Sequence, residues 1–173
     1  SGPYADTIAA TFKAFKQMVI TNSAMGYSDG KSASVPSEGW VIEKAEKHSV
    51  KSVWKPIWGK RSVVPDEYNV IILNLKGPSS SIFQHLRLEV RAYNDGVAFR
   101  YSVPSVEKNS LIATSELTNY HFAGDYTAWF YNGENANIGP IKLSESDGVR
   151  LPVLTIKANN KLYMAVHEAY LET

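Results

Sequence analysis

The feature that most constrains the fold of this 173-residue chain is a segment of strictly alternating apolar and charged residues. From Leu86 to Ala92, every even position is apolar and every odd position is charged. Successive side chains of a strand point to opposite faces, so this segment is predicted to have one buried and one solvated face. Asn94-Asp95-Gly96 then supplies residues that tolerate positive φ, and the apolar alternation resumes from Val97 to Val103. The sequence therefore predicts a β-hairpin.

Most other readable segments are also short and alternate with period two between turn residues, which is typical of antiparallel strands. The segment from Ile8 to Gln17 also fits helical spacing, and we favour a strand there. The fold class predicted is all-β. The further strands predicted are Val41 to Ala45, Ser49 to Trp54, Asn69 to Lys76, Glu116 to Phe122, Tyr126 to Tyr131, Leu151 to Lys157 and Lys161 to Leu171.

Size and charge exclude several classes of protein. The length suits one domain with a single core, predicted over residues 1–173. The net charge of +1, without long runs of like charge, argues against a nucleic-acid partner. No run approaches the ~20 apolar residues of a membrane helix, so we expect no membrane partner, and the start Ser1-Gly2-Pro3 lacks the regions of a signal peptide. The absence of cysteine excludes disulfides and thiolate metal sites.

The motifs of common catalytic centres are absent, and no catalytic residue is predicted in this chain. The four histidines lie far apart, without metal-ligand spacing, and are expected to be structural or surface residues. Glu145 and Asp147 flank Ser146 and precede Gly148, a pattern that favours a solvated turn. Substrate-binding residues are not assigned by these patterns.

Aromatic residues are the other feature that a sugar-handling protein shows. Trp40, Trp54, Trp58 and Trp129 offer ring faces on which sugars stack. The interpretation we favour is that they fill the core or cover a face against another domain. Stacking on a glycan stays open as the alternative.

The last predicted strand contains one residue that breaks its pattern. Both faces from Lys161 to Leu171 are mostly apolar, so the strand is expected to be covered on two sides. Glu168 lies where an apolar residue was expected. A carboxylate in such a place needs a cation, a basic side chain or several hydrogen-bond donors to offset its desolvation. A strand-end glutamate that reaches solvent is the alternative.

An ordered set of motifs resembles the N-terminal domain of glycoside hydrolase family 97. Arg91-Ala92-Tyr93-Asn94-Asp95-Gly96-Val97-Ala98-Phe99-Arg100-Tyr101 carries the resemblance most strongly. Each motif alone is weak, but their order over about residues 8 to 171 is fairly specific. The others are Met18-Val19-Ile20, Ser23-Ala24-Met25-Gly26, Trp54-Lys55-Pro56-Ile57-Trp58-Gly59-Lys60, Tyr68-Asn69, Leu151-Pro152 and His167-Glu168-Ala169-Tyr170-Leu171.

The resemblance implies a large antiparallel β-sandwich of the super-sandwich type that packs on a catalytic (β/α)8 barrel of the same polypeptide. Such enzymes are calcium-dependent, exo-acting α-glucosidases or α-galactosidases of bacteria, which act on α-linked oligosaccharides in the periplasm or outside the cell. The barrel is not found in this chain, and the sandwich is expected to be incomplete at both ends. Glu168 aligns with a glutamate that supplies one oxygen to the calcium ion of the active site.

The function predicted is that of a non-catalytic domain that shapes one rim of the active site and contributes a calcium ligand. The chain alone is expected to have no glycosidase activity and to bind calcium weakly or not at all, because one carboxylate cannot hold the ion. Two rival functions stay open. They are a free-standing carbohydrate-binding module without hydrolase activity and a structural or assembly β-domain without a ligand.

Overall fold

The chain is all-β, as predicted. A computed structural model describes residues 10–14, 17–28, 33–34, 39–79, 84–104, 115–133 and 137–168. One short 3-10 helix, Leu143–Glu145, interrupts the described strands, and no helix in these ranges is long and apolar enough to span a membrane. The strands are β1 Ala10–Ala14, β2 Gln17–Ser23, β3 Tyr27–Ser28, β4 Ala33–Ser34, β5 Val41–Trp54, β6 Val64–Lys76, β7 His85–Ala92, β8 Val97–Ser102, β9 Ser115–Glu116, β10 Thr127–Tyr131, β11 Asn137–Lys142, β12 Leu151–Asn159 and β13 Leu162–Val166.

The described residues group into two compact units. The first contains those of Met25–Thr118, and the second contains those of Ala9–Ala24 and Asn119–Thr173. Each unit has one four-stranded antiparallel sheet, in the order β5-β6-β7-β8 in the first unit and β11-β10-β12-β13 in the second. The all-β class is therefore confirmed, and two such sheets are the components that a β-sandwich requires. The single domain over residues 1–173 stays a prediction.

The core of the first unit lies on the apolar face of β7. Leu86 and Leu88 are buried there with Leu75 of β6 and Met25. Trp40 is partly buried against this cluster, and its ring lies so close to Gly77 that a Cβ at that glycine would be 2.7 Å from it. The apolar positions of the sequence pattern thus bury the expected face, and Trp40 is the tryptophan that packs in this core.

The predicted hairpin is confirmed. Ala92 pairs with Val97 across the turn, and the amide of Tyr93 donates a hydrogen bond of 2.8 Å to the carbonyl of Gly96. The intervening Asn94-Asp95-Gly96 is exposed, as turn residues usually are. The alternation and the turn residues were therefore sufficient to predict the two strands and their connection.

The core of the second unit lies between its central strands. Ala128 of β10 and Ile156 of β12 pair with one another and have no exposed surface. Phe130 and Leu162 are buried as well, while Tyr163, the neighbour of Leu162 on the opposite face, is 55% exposed. One face of this sheet is therefore packed, and the opposite face of β13 is open.

Several predicted boundaries differ from the observed ones. Val41 to Ala45 and Ser49 to Trp54 belong to one strand, β5, because most of its residues are exposed and no buried face imposes an alternation across Lys47-His48. Glu116 to Phe122 is not a continuous strand. After β9, its residues run beside β2, where Phe122 makes an isolated bridge with Ile20. The strand prediction for Ile8 to Gln17 is confirmed over β1, and Gln17 is the first residue of β2. Residues 8–9 and 15–16 lie outside the described part.

Candidate functional site

Glu168 lies two residues after the end of β13 and is exposed. The predicted last strand, Lys161 to Leu171, is observed over Leu162–Val166 and does not include His167 or Glu168, while residues 169–173 lie outside the described part. Among the described residues only one face of this strand is covered. The reason is visible in β13 itself, where Leu162 is buried but Tyr163 is open to solvent. In this chain the carboxylate of Glu168 is therefore available to a group from outside.

The described residues offer few side chains that could bind a metal ion. Among the described residues, no group of three or more histidine, aspartate or glutamate side chains could hold a metal. Glu145 accepts a hydrogen bond of 2.9 Å from the amide of Lys142, and Asp147 forms an ion pair of 2.8 Å with Arg150. These two acids are exposed and serve a turn, as predicted. Because calcium takes six to eight oxygen ligands, Glu168 fits the ion only as one ligand among others supplied from elsewhere.

The open face of the second sheet carries an aromatic pair. The Trp129 ring of β10 lies 6.3 Å from the Tyr163 ring of β13, and the Lys157 ammonium lies 5.9 Å from the Tyr163 ring. Trp129 is partly buried, although it lies on the face of the sheet opposite to the packed Ala128. We call Trp129, Lys157 and Tyr163 the aromatic face. Its chemistry suits either a sugar ring or an apolar protein surface.

The first sheet contains a charge cluster centred on Glu89. The carboxylate accepts a hydrogen bond of 2.7 Å from Arg91, and guanidinium nitrogens of Arg100 and Arg87 lie 3.4 Å and 3.5 Å from it. Glu89 is only 7% exposed, so the prediction of a solvated second face on β7 is wrong at this position, because three arginines surround the carboxylate.

The ionisation of Glu89 follows from these neighbours. Burial alone would raise its pKa, but the hydrogen bond from Arg91 and the charges of Arg91 and Arg100 hold the pKa below its ordinary value. A catalytic acid needs a raised pKa near the working pH, so Glu89 is suited to a structural role and not to proton donation. Sequence reasoning missed this cluster, and the alternation of arginine with glutamate in β7 was the available signal.

The tryptophans predicted to be buried or to face another domain have different environments. Trp54 is 54% exposed and Trp58 is 87% exposed, so neither fills the core of this chain. Trp54 is the last residue of β5, and Trp58 lies in the connection to β6, next to the fully exposed Ile57. A position against another domain remains a prediction for them, as it does for Trp129.

A protein family and several solved structures match nearly the whole chain. The family model described as Glycosyl-hydrolase 97 N-terminal matches residues 6–173. A glycoside hydrolase family 97 enzyme from a Pseudoalteromonas species is similar over 97% of this chain, with 25% sequence identity and a TM-score of 0.78, and these values hold also for its complex with panose. This chain spans 26% of that enzyme. A β-arabinopyranosidase with 14% identity shares the fold, with a TM-score of 0.73 over 98% of this chain and 29% of its own.

Proposed function

Because the chain belongs to the family of glycoside hydrolase family 97 N-terminal domains, we propose that it is the non-catalytic domain of a calcium-dependent, exo-acting α-glucosidase or α-galactosidase. The family match over residues 6–173 is the observation that carries this proposal. The similar Pseudoalteromonas enzyme is about four times longer than the matched region, since this chain spans 26% of it. The catalytic carboxylates are assigned to a (β/α)8 barrel in the remaining polypeptide, and the enzyme is assigned to the periplasm or the exterior of a bacterium.

The substrate class proposed is an α-linked oligosaccharide. The similar Pseudoalteromonas enzyme was obtained in complex with panose, which supports this choice. Hydrolysis of a glycosidic bond uses two carboxyl groups about 5 to 10 Å apart. Within the described residues, Glu89 is the buried acid, and its arginine neighbours stabilise the ionised form. The barrel is therefore assigned the chemistry, and this domain is assigned the support of the site.

Glu168 is proposed to contribute one calcium ligand to the rim of that site. Glu168 lies beyond the last residue of β13 and is exposed. Its carboxylate can therefore reach an ion held by a neighbouring domain. A bound calcium ion supplies positive charge that organises several oxygen ligands at once. Because the described residues contain no cluster of three acids or histidines that could hold a metal ion, the remaining ligands are assigned to the rest of the polypeptide.

A carbohydrate-binding module is the second candidate function. The open aromatic face favours it, because Tyr163 is 55% exposed and lies beside Trp129 and Lys157. Exposed aromatic rings of this kind can stack on the C–H face of a sugar ring. Under this function the domain would bind glycan tightly by itself, without any calcium ion.

The experiment that tests the proposal is a calcium titration of the full-length enzyme and its Glu168→Ala variant. Each protein is stripped with chelator, and hydrolysis of an aryl α-glycoside is followed as calcium is restored. We expect the variant to need about tenfold more calcium, because it would lose one oxygen ligand of the ion. A tenfold change corresponds to a loss of about 1.4 kcal/mol in the free energy of calcium binding.

Glu43→Ala, which removes an exposed glutamate of β5, serves as the matched control and should retain the original calcium dependence. Equal calcium requirements of the Glu168→Ala variant and the original enzyme would show that Glu168 is not a ligand.

A further inference from the structure

The longest hairpin of the first unit extends beyond the sheet to which it belongs. β7 pairs with β6 from Lys76 only as far as Asn69, which is opposite Ala92. Beyond that point, β5 and β6 continue to pair with one another as far as Trp54 and Val64. We call residues 50–68 the arm. A two-stranded ribbon of this kind is marginally stable in water without further support.

The base of the arm is fixed by aromatic and charged contacts. The Tyr68 ring lies 5.1 Å from the Tyr93 ring, and the Arg91 guanidinium lies 4.6 Å from the Tyr68 centroid. The Tyr93 hydroxyl donates a hydrogen bond of 3.5 Å to Asp66, which also accepts one from Ser52. These contacts join the arm to the end of β7, so its direction from the sheet is defined.

The tip of the arm, residues 53–63, exposes several large apolar side chains. Ile57 is fully exposed, Trp58 is 87% exposed and Val53 is 62% exposed. Single exposed apolar residues are normal on protein surfaces, but several large ones within one short segment, two of them tryptophans, are typical of an interaction site. Trp54 and Val63, both exposed, complete the set.

The tip is also strongly basic. It contains Lys55, Lys60 and Arg61 and has no aspartate or glutamate, which gives it a charge of +3. Tryptophan and arginine are enriched at the centres of protein interfaces, and a basic rim favours an acidic partner surface. The composition therefore predicts an apolar groove with acidic edges as the partner.

We propose that the arm tip docks into an apolar, acidic-edged groove on the catalytic portion of the same polypeptide. The partner follows from the charge of the tip and from the length of the similar enzyme, of which this chain spans 26%. This inference rests on the proposed function and names the surface through which the two portions meet.

Hydroxyl-radical footprinting of the full-length enzyme tests the docking directly. The rate of oxidation of Trp58 is compared between the native protein and the urea-unfolded protein. Docking should slow oxidation in the native enzyme several-fold, because the docked Trp58 ring would lose most of the surface that is 87% exposed in this domain. A native rate equal to the unfolded rate would overturn the proposal.

Variants show which surface is responsible for the protection. Ile57→Asp should raise the Trp58 oxidation rate toward the unfolded value, whereas Val149→Asp, at an 88% exposed valine of the second unit, should leave it unchanged. Lys60→Glu should also raise the rate, and the matched charge reversal Lys161→Glu in the turn between β12 and β13 should not. Unchanged protection in both Ile57→Asp and Lys60→Glu contradicts the docking.

Other occupants of the tip give distinct results. Protection that decreases on dilution identifies a second copy of the chain, and protection that requires phosphatidylglycerol vesicles identifies a membrane surface. Both results overturn the proposal. An unchanged calcium dependence of Glu168→Ala refutes the ligand role of Glu168, but Trp58 protection does not depend on that ligand. The two failures are therefore distinguishable.

Discussion

The sequence pattern assigns Glu89 to the solvated face of β7, where a change from glutamate to glutamine would have little effect. Because Glu89 is in fact buried, this replacement should destabilise the first unit. The side chain keeps its shape but loses the negative charge that three arginines contact. Arg87, Arg91 and Arg100 would then repel one another around a neutral amide. The free energy of unfolding of the 173-residue chain should decrease.

The magnitude follows from the exposure of the partners. The charged hydrogen bond from Arg91 is worth about 1.5 to 3 kcal/mol, because Arg91 is 34% exposed and Glu89 is buried. Arg87 and Arg100 are 41% and 58% exposed, so solvent screening limits each to below about 1 kcal/mol. Allowing for the entropy of ordering these side chains, we expect a total loss of about 2 to 3 kcal/mol at pH 7.

Urea unfolding followed by tryptophan fluorescence measures this loss, with Glu67→Gln as the matched control. Glu67 lies on the neighbouring β6 and pairs at 3.7 Å with Lys51, which is 84% exposed, so the control should lose less than about 1 kcal/mol.

The pH dependence of the same measurement separates charge from packing. The pKa of Glu89 is lowered below its ordinary value of 4.5, so its ionised form stabilises the fold above that pH. This stabilisation is lost as the pH falls through the lowered pKa. The difference between the original chain and Glu89→Gln should therefore be full at pH 7 and decrease below pH 4.5. A loss equal to that of Glu67→Gln, or a loss that persists unchanged in acid, would refute the reasoning.

Two further predictions concern the core and the exposed aromatic residues. Leu75→Ala should lower the free energy of unfolding by about 3 to 5 kcal/mol, because Leu75 is 1% exposed, and the control Leu151→Ala, at a 47% exposed leucine, by less than about 1 kcal/mol. Urea unfolding checks both, and equal losses would contradict the assigned core. If Trp54, Trp58 and Trp129 serve a protein interface, maltooligosaccharides should bind the chain with a Kd no tighter than about 1 mM. This Kd corresponds to a binding free energy of about 4 kcal/mol. Fluorescence titration checks this, and a micromolar Kd would favour the binding module.

The sequence predicts the fold best where one buried face imposes a strict pattern. The segment from Leu86 to Val103 shows this, since its alternation and its turn residues each predict the same hairpin. β5 was divided into two strands because it is mostly exposed, and solvent does not select an alternating pattern. β11 was missed for a related reason, since Asn137–Lys142 contains a glycine and a proline and has no buried residue.

The candidate site is predicted less completely, because its features depend on pairing between distant segments. Sequence marked Glu168 as unusual, but the exposure of Tyr163 beside the packed Leu162 shows that any cover of this face must come from outside the described residues. Trp54 and Trp58 resemble core residues in the sequence. Only the register of β6 with β7, which ends at Asn69, reveals that they lie on an arm beyond the sheet.

The most direct test of the proposed division of function is the hydrolysis of aryl α-glucosides and α-galactosides by two purified proteins. One is the 173-residue chain, and the other is the full-length enzyme that contains it. If the chain is a non-catalytic domain, only the full-length enzyme should release the aryl group, and its activity should require calcium. Turnover by the 173-residue chain, free of contaminating enzyme, would contradict the proposal that catalysis belongs to the barrel.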